Sequence, residues 1–120
     1  MNITLWLILG LFTKHFIADF VLQTQYQLSN KGNYLHLGGI IHSGIHGIGT
    51  FLVFYWYAPY SAAILAIVDM LIHYHIDWTK VYINKKTEWN NTNPKFWWLF
   101  GLDQYLHALT YILLVASTVT

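Results

Sequence analysis

Four long apolar segments follow one another along the chain, separated by three short polar or turn-forming breaks. The segments cover about residues 3–28, 35–57, 60–83 and 96–119. Each has at least the roughly 20 residues that a helix needs to cross the hydrocarbon core of a membrane. They are too long for barrel strands and lack a two-residue alternation. The pattern therefore predicts an all-α protein, a four-helix transmembrane bundle with short loops.

The lysines outside these segments predict the orientation of the bundle. Lys31 lies in the first break, and Lys85, Lys86 and Lys95 lie in or beside the third, whereas the second break and both ends of the chain have none. The positive-inside rule then places loops one and three in the cytoplasm and both termini outside. We expect a multi-pass protein of the inner (cytoplasmic) membrane, with the first segment a retained helix rather than a signal peptide.

Composition narrows the classes of protein that fit this pattern. The chain of 120 residues has room for a single domain, residues 1–120, and is 56% hydrophobic but only 9% charged, against roughly 25% in soluble domains. Disordered chains and most soluble enzymes are thereby excluded. The sequence has no cysteine, which excludes thiolate metal sites, and its net charge of +1 without arginine excludes a nucleic-acid partner.

Charged residues nevertheless fall inside the predicted spans, where each costs roughly 2.5–3.5 kcal/mol at mid-helix unless it has a partner. Histidines accompany them at a spacing of four residues, which places both members of a pair on one face of a helix. The pairs, one on each helix, are His15/Asp19, His42/His46, His73/Asp77 and Asp103/His107. Asp69 precedes the third pair by one turn and Lys80 follows it.

These four pairs share one depth in the membrane. Counted from the cytoplasmic end of each helix, they lie roughly 9–20 Å inside the bundle at 1.5 Å per residue. Imidazole and carboxylate together form a ligand set for zinc, manganese or iron. We therefore predict that the eight paired residues bind one to three divalent ions, zinc being the first expectation.

A metal layer within reach of lipid headgroups favours a hydrolase that acts on a membrane-borne phosphoester, such as a phospholipid or a polyprenyl phosphate. Asp69, left without a metal, is the expected proton acceptor, and Lys80 is the expected stabiliser of the phosphoryl charge. We expect Lys14, Gln23, Lys80 and Gln104 to contact the substrate. We do not expect His36 or His75 at the site. The sequence leaves open whether the protein forms a homo-oligomer.

Other functions compete with this one. The alternative is a transporter or binding protein for a divalent metal or protons, although the outer halves of the helices (residues 50–57, 60–68 and 112–116) are almost purely apolar. This favours a blind pocket over a path through the membrane. Facing histidines can also ligate haem, and buried His–Asp pairs can simply hold helices together.

Three motifs resemble a known family. Residues 14–23, KHFIADFVLQ, are similar to its KHxxADFxLQ signature; residues 73–80, HYHIDWTK, and 103–107, DQYLH, are similar to its HxxxDxxK and DQxxH elements. The family comprises small bacterial and phage membrane proteins, domain-of-unknown-function family 3307, and the resemblance implies no activity by itself.

A more distant resemblance is to YdjM-type predicted membrane-bound metal-dependent hydrolases. Those are similar in turn to the zinc phospholipase C group, whose HxxxD and HxxxE helix pairs hold zinc ions. The resemblance implies zinc ligation by His15/Asp19 and His73/Asp77 only, because the chain has no HxxxE pair.

Overall fold

The computed structural model describes residues 2–120, and in that range it has helices and no strand. Helix α1 covers Ile3–Phe16 and continues into a π-helical turn at Ile17–Val21. The short helix α2 covers Gln25–Asn30, and the long helices α3, α4 and α5 cover Leu37–Tyr55, Pro59–Thr87 and Pro94–Val119. The prediction of an all-α fold is confirmed, with one helix more than the four expected.

Four of these elements are long and apolar enough to cross a membrane: α1 with its π-helical turn, α3, α4 and α5. The molecule measures 43 × 28 × 22 Å, and its long dimension matches the roughly 40–45 Å of a bilayer with its headgroups. Large apolar side chains such as Trp6, Phe20 and Leu113 are more than half exposed. A surface of this kind indicates a multi-pass membrane protein.

The predicted first helix was wrong in its C-terminal part, because the long helix ends at Val21 and not at residue 28. Leu22 N donates to Ile17 O at 2.9 Å and closes the π-helical turn. Thr24 then caps α2 by accepting a hydrogen bond from Gln27 N at 3.3 Å. Threonine is favoured at the start of a helix, where its side-chain oxygen accepts a hydrogen bond from a free backbone N–H, and is less favourable in a helix interior. The break allows α2 to turn back and pack against α3.

The third loop is shorter than predicted, since α4 continues to Thr87 instead of residue 83 and α5 begins at Pro94 instead of residue 96. The backbone of Glu88 is left-handed, with φ at 57°, and this ends α4. Asn93 caps α5 by accepting from Lys95 N at 2.9 Å, and Pro94 takes the first helical position, where no N–H is needed. The predicted limits of α3 are correct to within two residues.

The interior is divided into an apolar half and a polar half. Between the two chain ends and the α3–α4 loop lies an apolar core of Leu7, Leu11, Phe54, Ala62, Leu65, Tyr111, Leu114 and Val115. In the other half, nearer the first and third loops, the buried side chains are mostly histidine, aspartate and lysine. A polar interior inside an apolar exterior requires that the polar groups satisfy one another.

Helices α3 and α4 pack closely at a small-residue face of α3. A Cβ atom added at Gly47 would lie 3.3 Å from both the Ala66 carbonyl oxygen and the Met70 Cβ. By contrast, a Cβ added at Gly44, on the same helix, would meet nothing within 4 Å. Glycine at position 47 therefore allows the close approach of the two helices.

This difference predicts that Gly47→Leu destabilises the protein by about 1–3 kcal/mol, because the added side chain overpacks the α3–α4 contact. Gly44→Leu serves as the matched control and should unfold at the wild-type temperature or above it, since leucine is the better helix former. Thermal unfolding of both variants in one detergent measures the effect. Equal behaviour of the two variants would contradict the packing described here.

Candidate metal centre

Asp19 lies on the π-helical turn and is surrounded by imidazoles. The Nε2 atoms of His15, His42 and His46 lie 3.0, 3.2 and 2.8 Å from its carboxylate oxygens. π-helical turns of this kind are frequent at functional sites, and here the turn carries the carboxylate toward α3. Within residues 2–120, no lysine Nζ lies within 4.0 Å of this carboxylate.

Asp77 of α4 holds a second set of imidazoles. Its Oδ2 lies 3.2 Å from the Nε2 atoms of both His42 and His73, and its Oδ1 lies 3.2 Å from Nε2 of His107 on α5. Lys31 Nζ is 3.6 Å from Oδ2. Because His42 contacts both Asp19 and Asp77, the two sets form one continuous cluster.

Two groups in this cluster could each hold a metal ion. Asp19, His42, His46 and His73 form one group, and His73, Asp77 and His107 form the other; within each, the ligand atoms lie within 4.8 Å of one another. The His73 ring is stacked between those of His46 and His107, with centroid distances of 3.6 and 4.1 Å. Histidine with aspartate is a ligand set for zinc, manganese or iron.

Unpartnered atoms at the centre fit this assignment. His73 Nδ1, Asp77 Oδ2 and Asp103 Oδ1 are buried and have no hydrogen-bond partner. An unsatisfied buried polar group costs roughly 1–3 kcal/mol, and more when it is charged. Asp77 Oδ2 lies 3.2 Å from the Nε2 atoms of His42 and His73 without a hydrogen bond to either, and a cation bound among these atoms would supply the missing interaction.

The charge balance also fits a cation. Three of the four aspartates face a lysine: Asp69 with Lys14 at 2.7 Å, Asp103 with Lys80 at 3.3 Å, and Asp77 with Lys31 at 3.6 Å. Asp19 has only imidazoles around it, which carry no charge in the form that ligates metals. With all the imidazoles neutral, Asp19 is the one of the four aspartates that has no lysine Nζ within 4.0 Å in the part of the chain that the structure describes, and a bound cation would neutralise its charge.

Contacts on the other side of the rings fix the orientation of the histidines. His42 Nδ1 donates to Gln27 Oε1 at 3.2 Å, which leaves Nε2 with the lone pair that a metal requires. His15 Nδ1 pairs with the Tyr111 hydroxyl at 2.6 Å. Gln27, the residue that α2 brings into the bundle, is 4% exposed.

Lys14 and Asp69 form a separate buried network behind His46. Asp69 Oδ2 accepts hydrogen bonds from Lys14 Nζ at 2.7 Å and from Thr50 Oγ1 at 2.5 Å. Lys14 Nζ also lies 3.1 Å from His46 Nδ1. Neither Lys14 nor Asp69 reaches the cleft described next, so the substrate role of Lys14 and the proton-acceptor role of Asp69 stay predictions.

A cleft of about 300 Å³ opens beside the metal centre. Its polar lining is Asp19, Gln23, Lys31, Asp77, Lys80, Asn84 and Gln104. Lys31 Nζ donates to Gln23 Oε1 at 3.1 Å, and Gln104 Oε1 lies 3.2 Å from His15 Nε2. Three of the four predicted substrate residues, Gln23, Lys80 and Gln104, are therefore gathered at one opening.

All eight predicted ligands lie in the polar half of the bundle. His15 and Asp103 lie at the edge of the cluster and belong to neither of the two groups that could hold a metal ion. His36 caps α3, accepting from Gly38 N at 3.0 Å, and His75 is exposed and contacts Tyr34, as expected for residues outside the site.

Sequence reasoning missed Gln27, Lys31, Thr50 and Tyr111. Each continues a four-residue series already seen in the sequence: His15, Asp19, Gln23, Gln27, Lys31 in one case, His42, His46, Thr50 in the second, and Asp103, His107, Tyr111 in the third. Extending the pairs on α3 and α5 by one further turn would have found Thr50 and Tyr111. Gln27 and Lys31 follow the helix break at residues 22–24, across which helical spacing does not apply.

A family model described as "Protein of unknown function (DUF3307)" matches residues 7–120, nearly the whole chain. No curated protein and no solved structure matches the chain. The first of the two resemblances drawn from the motifs is confirmed, whereas the likeness to YdjM-type hydrolases stays an expectation.

The Lys14–Asp69 pair predicts a strong coupling in stability. Asp69→Leu should lower the free energy of unfolding by about 3–5 kcal/mol, because it leaves a buried ammonium without its anion. The double variant Lys14→Leu/Asp69→Leu should regain a large part of that loss. A double-mutant cycle measured by denaturation in detergent tests this, and strictly additive effects would show that the pair is not coupled.

Proposed function

The chain belongs to the DUF3307 family of proteins of unknown function, and we propose that it is a metal-dependent hydrolase acting on the phosphoester of a membrane lipid or polyprenyl carrier. One observation carries the proposal: Asp19 and Asp77, one from each group that could hold metal, line the same cleft as Lys31 and Lys80. A site for a cation beside a site for an anion is what phosphoester chemistry requires.

The two lysines of the cleft are suited to bind phosphate. Lys31 lies 3.6 Å from Asp77 and Lys80 lies 3.3 Å from Asp103. Both distances exceed the roughly 2.7–2.9 Å of a close charge-assisted hydrogen bond. Each ammonium therefore keeps N–H groups for the oxygens of a substrate phosphate, while Lys14, at 2.7 Å from Asp69, is fully engaged.

A divalent cation bound here would supply Lewis acidity toward the phosphoryl oxygen and make water a nucleophile at neutral pH. The protein residues do the rest. Lys80 and Lys31 neutralise charge on the phosphoryl group, and Gln23 and Gln104 orient it. Asp19 and Asp77 line the cleft and belong to the groups that would hold the cation. Asp69, which lies outside both groups, stays the proposed proton acceptor and is joined to the site through Lys14 and His46.

The closed half of the bundle supports hydrolysis over transport. A path across the membrane would have to continue from Asp69 and Thr50 through the apolar core around Leu11, Phe54 and Val115, all at most 1% exposed. A transporter of divalent metal or protons remains the second candidate, carried by the Lys14–Asp69–Thr50 network. Metal influx into proteoliposomes above that of empty liposomes would favour it.

Metal content is the first test. We expect elemental analysis of detergent-purified protein to find one or two divalent ions per chain, zinc foremost, and His73→Ala to lose most of them because both groups share that ring. His75→Ala is the matched control, an exposed histidine two positions away, and should keep the wild-type metal. Equal metal in both variants, or none in the wild type, would overturn the metal centre.

Hydrolysis is the second test. Metal-loaded protein should release phosphate from a polyprenyl or diacylglycerol phosphate in mixed micelles, and chelation should abolish release. We expect Lys80→Gln to lower kcat/KM by about 10²-fold, as for removal of one donor to a developing oxyanion. Lys86→Gln, an exposed lysine outside the cleft, should be neutral. No phosphate release by metal-replete protein would exclude this activity.

A further inference from the structure

An apolar groove of about 520 Å³ runs along the outside of the bundle between α4 and α5. Its walls include Leu71, Ile72, Ile76, Ile83, Leu102 and Leu106. Lys80 and Asp103, joined at 3.3 Å, are its charged lining residues. Apart from His75 and Thr79, the other lining side chains are apolar. An ion pair in the wall of such a membrane-facing groove is costly, and a ligand with a polar end would interact with it.

Lys80 connects this groove to the metal centre. The residue lines both the groove and the cleft that holds Asp19 and Asp77. Asp103, its partner, has Oδ1 buried and without a hydrogen-bond partner. A molecule whose charged end contacts Lys80 in the cleft would have the apolar groove on the other side of the same side chain.

We infer that the α4–α5 groove binds the hydrocarbon chain of a lipid phosphate whose phosphate group occupies the cleft, with Lys80 at the junction. The location of the phosphate rests on the proposed function; the binding of the chain does not require that the phosphate be hydrolysed.

The length of the groove supports a lipid chain. On α4 it reaches from Leu71 to Ile83, about 18 Å at 1.5 Å per residue. This is close to half of the roughly 30 Å hydrocarbon core, the depth of one leaflet. Ile83 lies near the loop end of α4, at the depth of the cleft, and Leu71 lies toward the middle of the span. A lipid chain in one leaflet extends in the same direction over the same distance.

A second apolar groove on the molecule lacks these features and provides a control. It lies between α1 and α3, has a volume of about 660 Å³ and extends from Trp6 to Leu22, along the whole first span. It shares no lining residue with the cleft among residues 2–120. Its charged residue, Lys14, is held by Asp69.

Photolabelling tests the inference without relying on hydrolysis. The probe is a long-chain alkylphosphonate with a diazirine in its chain, presented to the full-length protein in phosphatidylcholine vesicles; its C–P bond resists hydrolysis. We expect label in residues 71–83 and 99–106. An excess of alkylphosphonate without the diazirine should prevent this labelling by competition. An excess of the alcohol of the same chain length should not.

Two bulky substitutions provide the matched comparison. Leu102→Trp fills the α4–α5 groove and should reduce labelling about tenfold, the effect of 1.4 kcal/mol in binding, with metal content unchanged. Ile48→Trp fills the α1–α3 groove and should leave labelling at the wild-type level. Lys80→Gln should also reduce labelling, because it removes the cation at the junction.

Two outcomes would overturn the inference. Label spread evenly around the bundle, or insensitive to Leu102→Trp, would mean that the groove holds only ordinary bilayer lipid. If the groove is not labelled and two copies of the chain can be cross-linked to each other through residues of α4 and α5, a second copy covers the groove. If only the proposed hydrolase activity is wrong, the protein will still be labelled in the groove but will release no phosphate from a lipid phosphate.

Discussion

The high cost of charge inside a bilayer governs this structure. Four aspartates lie in the spans, and the fold surrounds each of them: Asp69 with Lys14 and Thr50, Asp103 with Lys80, Asp77 with Lys31 and three imidazoles, and Asp19 with imidazoles alone. Helix packing, the return of α2 and the position of the first loop all serve these contacts. Because neutral imidazole supplies hydrogen bonds but no charge, Asp19 is the point where the protein by itself is incomplete.

Much of the site could be predicted from the sequence because, on a helix, the spacing of residues along the chain determines the directions of their side chains. A step of four residues keeps side chains on one face, so the pairs His15/Asp19, His42/His46, His73/Asp77 and Asp103/His107 each identified an inward face before any helix had been placed against another. Their common depth then predicted that the faces meet. The structure places all eight residues in one half of the bundle, and it leaves His75, two positions from His73, on the outside.

The features that could not be predicted depend on local backbone hydrogen bonding and on which side chains of different helices are in contact. The four-residue rule assumes an unbroken helix, and the π-helical turn with the cap at Thr24 interrupts the first one. Lys31 was assigned to a loop and to orientation, although its Nζ reaches Asp77. Asp69 shares the face of His73 and Asp77, yet Lys14 of α1 engages it first, and spacing along α4 carries no information about α1.

The separation of the interior into an apolar half and a polar half bears on how such a site can work in a membrane. The apolar core fills the bundle at the end that carries both termini, and the cleft lined by Asp19 and Asp77 opens in the other half. In the proposed reaction, a lipid substrate that enters this cleft would present its phosphate to the lysines while its hydrocarbon part stays out of water. The α4–α5 groove would meet that requirement, because Lys80 lines both the groove and the cleft and the groove continues from there to Leu71, toward the middle of the span. In the proposed hydrolase the substrate would not have to leave the bilayer. Its selectivity would come from apolar contacts along the α4–α5 groove rather than from the polar cluster, because a cation and lysine side chains would interact with the phosphate of any phosphoester.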